Sequence, residues 1–169
     1  SIGVNMMTSL GMKEIDYPYH VESKDELYRI VKDTPENLLK GRAYKDVYGS
    51  HMTDWNRIQK HEIVSKFVRW IEDEMDARMV SIWGVLYGEN GGIKEHNHKG
   101  SDYSFVYYIN VPKNSSNLCF PDLYADIDFS VPAREGNVVI FESFMRHYVP
   151  KNDCNGRCVI SGNLMSKTV

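Results

Sequence analysis

The feature that most limits what this chain can fold into is a change of hydrophobic period near Arg78. Over residues 59–77 the apolar side chains Val64, Phe67, Val68, Ile71 and Met75 recur at helical spacing, while Lys66, Arg69, Glu72, Asp73 and Asp76 point away. That is one face of a packing helix, and its stripe needs no functional reading. Beyond Arg78 the period falls to that of strands. Segments 79–87, 103–111, 118–120, 127–131, 137–141 and 157–164 read as strands, separated by Gly, Asn, Pro and Ser clusters such as 88–92 and 113–117. Before the helix, Ser23-Lys24-Asp25-Glu26 reads as a capping box opening a short helix. Thr34-Pro35 reads as a second helix start with Gly41 as its stop, and 41–56 as a loop with some strand. The expectation is therefore mainly β with flanking helices. A helical front at about 1–78 buttresses a double-stranded β-helix barrel, jelly-roll or cupin-like, at about 79–169, all in a single domain 1–169.

Composition narrows the function. A net charge of -3 argues against strong binding to nucleic acid or anionic membranes. No apolar run approaches the roughly 20 residues that span a bilayer, and the first residues do not read as a signal peptide. Cys119, Cys154 and Cys158 are odd in number, and Cys154-x-x-x-Cys158 lacks two further metal ligands, so reduced thiols of a cytoplasmic protein are expected.

The histidines carry the chemistry. His96-Asn97-His98 lies just ahead of strand 104–111, and in an extended segment residues i and i+2 face the same way. His147 follows strand 137–141, 49 residues after His98, far enough for the chain to cross the sheets and return. A barrel builds a facial metal triad in this way and leaves positions open for substrate and dioxygen. His20, His51 and His61 show no such arrangement; His61 is expected exposed on the helix.

The ordered set of segments is also informative. Tyr87-Gly88-Glu89-Asn90-Gly91-Gly92-Ile93-Lys94-Glu95-His96-Asn97-His98 is followed by Ser104-Phe105-Val106-Tyr107-Tyr108-Ile109-Asn110, then Gly136-Asn137-Val138-Val139-Ile140-Phe141. His147-Tyr148-Val149-Pro150 comes next, with Arg157 ten residues after His147. This order resembles the 2-oxoglutarate- and Fe(II)-dependent oxygenases, in their prolyl-hydroxylase-like branch and among small bacterial and phage forms. The resemblance covers about residues 83–165. It implies a dioxygenase that couples oxidative decarboxylation of 2-oxoglutarate to hydroxylation of a substrate, in a bacterium or a phage-infected host. It implies Fe(II) on His96 and His147, with His98 completing the set by its i, i+2 geometry, and no other catalytic side chain. A guanidinium pairs with a carboxylate through two parallel bonds, so Arg157 suits the far carboxylate of the cosubstrate. Tyr108 would add a hydroxyl to it, Ser161 on the same strand face a third partner, and Tyr87 a phenol near the cosubstrate.

One position departs from the family pattern, which has Asp or Glu where His98 stands. Asp102 and Glu95 are alternative carboxylates, without the i, i+2 geometry. The residues alone leave two other readings open: a three-histidine cupin-type metalloenzyme that uses no 2-oxoglutarate, and a non-enzymatic jelly-roll protein. The substrate is a small molecule or a protein side chain, and a homodimer is an open expectation. Met52, Thr53, Trp55, Asn56, Trp83 and Phe144 are the candidates for the site mouth.

Overall fold

In the computed structural model, which describes residues 11–36, 46–122 and 126–167, antiparallel strands curl into a half-barrel. In chain order the elements are β1 (Met12–Asp16), α1 (His20–Asp33), β2 (Val47–Met52), α2 (Glu62–Met75), β3 (Ala77–His96), β4 (Tyr103–Asn110), β5 (Leu118–Phe120), β6 (Phe129–Val131), β7 (Asn137–Glu142), β8 (His147–Val149) and β9 (Arg157–Ser166). The strand order is β1-β7-β4-β9-β3-β8-β5-β6, with β2 paired to β3. The jelly-roll expectation is borne out.

Strand alternation gives the sheet two unlike faces. On β4, Phe105, Tyr107 and Ile109 point to the helices, while Ser104, Val106 and Tyr108 point to the barrel interior. The helix side buries Leu27 and Val31 of α1 and Val64, Phe67, Ile71 and Met75 of α2, all essentially inaccessible to solvent. Each such side chain contributes roughly 1.5–3 kcal/mol of burial energy, so this face holds the helices on. Gly84 of β3 permits the close approach, because a Cβ there would lie 2.5 Å from a Val31 methyl. α2 ends at Asp76, whose φ of 46° turns the chain into β3.

Several expectations need correcting. The Ser23 capping box does not start a helix: α1 begins at His20, and Ser23 is buried inside it without a capping bond. Thr34 does not open a second helix. It caps the end of α1, its hydroxyl donating to the Ile30 carbonyl at 2.6 Å, and Glu36 pairs with Thr53 in a β-bridge. The rest of that expected helix, up to Gly41, lies outside the described residues. The front also contains a strand, β1, on the sheet edge against β7. The glycine-rich stretch 88–92 is no break, because β3 runs through it for 20 residues. The first part of β3 pairs with β9 and the last part with β8, while β2 flanks it with a register shift opposite the glycines.

Candidate functional site

β3 and β8 bring His96 and His147 directly opposite each other in the ladder. His98 reaches the same point from the loop that follows, held where its N–H donates to the Ser143 carbonyl at 2.9 Å. One nitrogen from each of the three imidazoles lies within 4.8 Å of the others, a grouping able to share one metal ion. Two of the rings are oriented by the backbone. His96 Nδ1 bonds the Lys94 carbonyl at 2.8 Å and His147 Nδ1 the Met145 carbonyl at 3.0 Å. A carbonyl only accepts, so Nδ1 carries the proton and Nε2 keeps its lone pair for a metal. Burial lowers the proton affinity of all three. It is the main cause at His98, held down to about 4, and at His147, held well below the ordinary value, with the neighbouring histidines adding to it. Neutral imidazoles are the form that ligates.

The alternative carboxylates are engaged elsewhere. Asp102 accepts the Ser166 N–H at 2.7 Å, and Glu95 accepts Arg146 Nε at 2.6 Å. Neither belongs to the three-histidine group. His20 bonds Tyr107 and His51 bonds the Thr34 carbonyl, while His61, expected on the helix, is its part-exposed N-cap.

The histidines line a cavity of about 460 Å3 inside the barrel, a size within the ~300–1,000 Å3 usual for small-molecule sites. Strand register stacks its wall in layers. Tyr87 faces Arg157 at the foot, Val85 faces Val159 above them, Trp83 faces Ser161 next, and Ser81 faces Asn163 at the outer end. The triad sits toward the outer end: the rings of His98 and Trp83 are 5.8 Å apart and those of His147 and Phe141 4.7 Å.

At the foot, Arg157 is fully buried. Its Nε donates to the Ser116 carbonyl at 3.0 Å, and its guanidinium lies 4.6 Å from the Tyr87 ring centre and 5.2 Å from that of Tyr108. Both its Nη atoms and the Tyr108 hydroxyl are buried without a hydrogen-bond partner among the described residues. Two aromatic faces contribute at most a few kcal/mol to a buried cation, about 2 each, against a desolvation penalty of several kcal/mol. The foot of the cavity is therefore short of one anion. Burial also raises both phenols, Tyr87 to about 12, while the nearby guanidinium pulls them down, so both keep their protons near neutrality.

Of the expected mouth residues, Met52, Trp55 and Trp83 line the cavity. The others do not. Thr53 is buried and accepts the Gly84 N–H, Asn56 accepts the Ile82 N–H through its side chain, and Phe144 is exposed outside the cavity. Sequence reasoning missed Ser81, Ser104 and Asn163, which form a polar outer layer. The available signal was their place at inward-facing alternate positions of otherwise apolar strands.

No family model matches the chain, and no curated protein matches it by sequence. Its structure is similar to a prolyl-4-hydroxylase from Pseudomonas putida, at 14% identity and a TM-score of 0.72, over 98% of each chain. A prolyl hydroxylase from Trichoplax adhaerens, solved with a peptide fragment of a hypoxia-inducible factor, matches at 13% identity and a TM-score of 0.70, over 95% of this chain and 86% of that one. HygX from Streptomyces hygroscopicus, solved with nickel and 2-oxoglutarate, matches at 9% identity and a TM-score of 0.69, over 95% and 84%. The chain thus has the fold of the 2-oxoglutarate- and Fe(II)-dependent oxygenases.

Proposed function

We propose that this chain is an Fe(II)- and 2-oxoglutarate-dependent dioxygenase that hydroxylates a bound substrate. The observation that carries the reading is the pairing of two unmet demands in one cavity. Three neutral imidazoles converge near its outer end, and at its foot Arg157 Nη1 and Nη2, with Tyr108 Oη buried beside them in the wall, await an acceptor. A metal-chelating molecule with a carboxylate at its far end answers both, and 2-oxoglutarate has that shape. The fold supports the same reading.

When bound, Fe(II) and 2-oxoglutarate supply oxidative decarboxylation, in which dioxygen, the keto acid and a substrate C–H yield succinate, carbon dioxide and an alcohol. The residues of the chain do the rest. His96, His98 and His147 hold the metal through neutral nitrogens. Arg157 pairs with the far carboxylate, which ends the isolation of its own charge. Tyr108 keeps its proton and donates it to the same carboxylate, while Ser161, on the same face of β9 but beyond Val159, offers a hydroxyl beside Trp83 toward the metal end. Tyr87 packs on the guanidinium and fixes its plane. The valine belt Val85, Val106 and Val159 excludes water between the ends. No carboxylate ligand is present in this reading, because Asp102 and Glu95 are bonded elsewhere.

Anaerobic titration with Fe(II) and then 2-oxoglutarate tests the proposal, through the visible charge-transfer band of the chelate. The band is expected in the wild type and absent in Arg157→Met. Iron uptake with no band and no effect of Arg157→Met would replace this reading with a three-histidine metalloenzyme independent of 2-oxoglutarate, an alternative favoured by the imidazole of His98. No metal uptake at all would leave a binding protein.

A further inference from the structure

The turn between β7 and β8 ties together the two segments that carry the triad. It offers three successive carbonyls. That of Ser143 accepts the His98 N–H at 2.9 Å, that of Phe144 accepts the Asn97 side-chain amide at 3.2 Å, and that of Met145 meets His147 Nδ1 at 3.0 Å. His96 and His147 are also fixed by the β3–β8 ladder. His98 is not, because it lies past the end of β3 in the connection 97–102 to β4. Among the described residues its ring makes no hydrogen bond of the kind that orients the other two. Where its imidazole stands therefore depends on how its backbone is held.

Ser143 holds that connection twice. It accepts from His98, and its own N–H donates to the Asp102 carbonyl at 3.0 Å, so one residue spans the connection from His98 to Asp102. Its side chain fixes it in turn. Ser143 is buried, and its hydroxyl lies 2.9 Å from that of Ser104 on β4, which donates to Asn163 Oδ1 on β9 at 2.7 Å. Ser104 has one proton and gives it to Asn163, so it accepts from Ser143. Turning a buried hydroxyl away from its partner costs roughly 1–3 kcal/mol, which holds the Ser143 carbonyl on His98. We infer that Ser143, locked to the sheet through Ser104 and Asn163, is a positioning residue that seats His98 as the third metal ligand. The inference rests on the oxygenase reading for the word ligand. The seating itself stands on the hydrogen bonds.

Two readouts test it, and one needs no metal. In metal-free protein, Ser143→Ala should speed amide hydrogen exchange at His98 by about tenfold, the worth of about one net hydrogen bond, with Ile109 and Ile160 as unchanged references. With Co(II) as probe, followed by its visible absorption, Ser143→Ala should lower affinity about tenfold, the lower end of what groups orienting a ligand contribute. In a His98→Ala background the same substitution should change Co(II) affinity by less than about twofold, because the two residues act as a unit. Ser104→Ala should repeat the pattern at smaller size, and it carries both readouts if Ser143→Ala does not fold. Unchanged exchange at His98 overturns the assignment, as does a Co(II) affinity that Ser143→Ala leaves alone or lowers equally without His98. Faster exchange at His98 in a protein that takes up no Co(II) at all upholds the seating and counts against the metal-site reading alone.

Discussion

Tyr107 and Tyr108 are neighbours on β4, both fully buried, and their hydroxyls meet opposite fates. Tyr107 faces the helices, where its hydroxyl lies 2.7 Å from His20 Nδ1 and its ring stacks on Phe67 with centres 4.7 Å apart. Tyr108 faces the barrel interior beside Arg157, and its hydroxyl has no hydrogen-bond partner among the described residues. One strand thus carries a phenol satisfied within the fold and a phenol left wanting. A buried hydroxyl without a partner costs roughly 1–3 kcal/mol. Between these two phenols the fold bears the cost on the interior face, where a ligand can repay it, and avoids it at Tyr107, although the helix face leaves Tyr17 Oη and His20 Nε2 without partners among the described residues.

The contrast can be broken most severely at Arg157. Arg157→Met should weaken 2-oxoglutarate binding by at least about a hundredfold, the scale of losing a buried charge pair, while the thermal midpoint holds or rises because an unpaired buried charge is gone. Calorimetric titration of the metal-loaded protein together with a melting curve checks both halves. A melting loss equal to the binding loss would make Arg157 a structural residue.

Tyr108→Phe sharpens the contrast. It should cost about tenfold or more in 2-oxoglutarate affinity, since a hydrogen bond to a charged acceptor is worth ~1.5–3 kcal/mol, with stability unchanged or slightly improved. Tyr107→Phe should do the opposite. It strands His20 Nδ1, so the protein should lose ~1–3 kcal/mol in denaturant unfolding and bind 2-oxoglutarate as before. If both variants behave alike, the two faces do not differ as argued.

The smallest expected effect is a pH dependence on the helix side. Burial lowers the His20 pKa below the ordinary 6.5, the main cause of its shift. Between the two pKa values the unfolded chain binds the proton and the folded chain does not, so stability falls as pH drops below about 6.5. His20→Gln should flatten that slope. The comparison is made by urea unfolding of metal-free wild type and variant, so that the triad contributes equally to both curves.

Much of the site was legible in the sequence because strand geometry is periodic. The i, i+2 spacing of His96 and His98 and the distance to His147 correctly placed three imidazoles at one point. The α2 stripe was equally plain. What the sequence hid were properties of register. Nothing in Tyr107-Tyr108 says which phenol finds a partner, because that depends on α1 delivering His20 to one face only. Glycines 88–92 read as a turn by composition, yet they let β3 bulge and continue. Met12–Asp16 alternates too weakly to announce an edge strand, and its partner β7 lies more than a hundred residues away. Ser23 and Glu26 match a capping box in spacing, but the helix had already started one turn earlier at His20.

β3 carries both ends of the proposed cosubstrate site, Tyr87 against Arg157 at the foot and His96 in the triad, on one unbroken backbone. That makes the strand a gauge. The gap between anion pocket and metal is set chiefly by the paired strands β3, β8 and β9, with only His98 supplied by a loop, so it resists stretching to suit a longer guest. Keto diacids one carbon shorter or longer than 2-oxoglutarate should therefore be turned away by chain length alone. Deleting a single residue between Tyr87 and His96 would not rescale the gauge, because it would turn every later side chain of the strand to the opposite face.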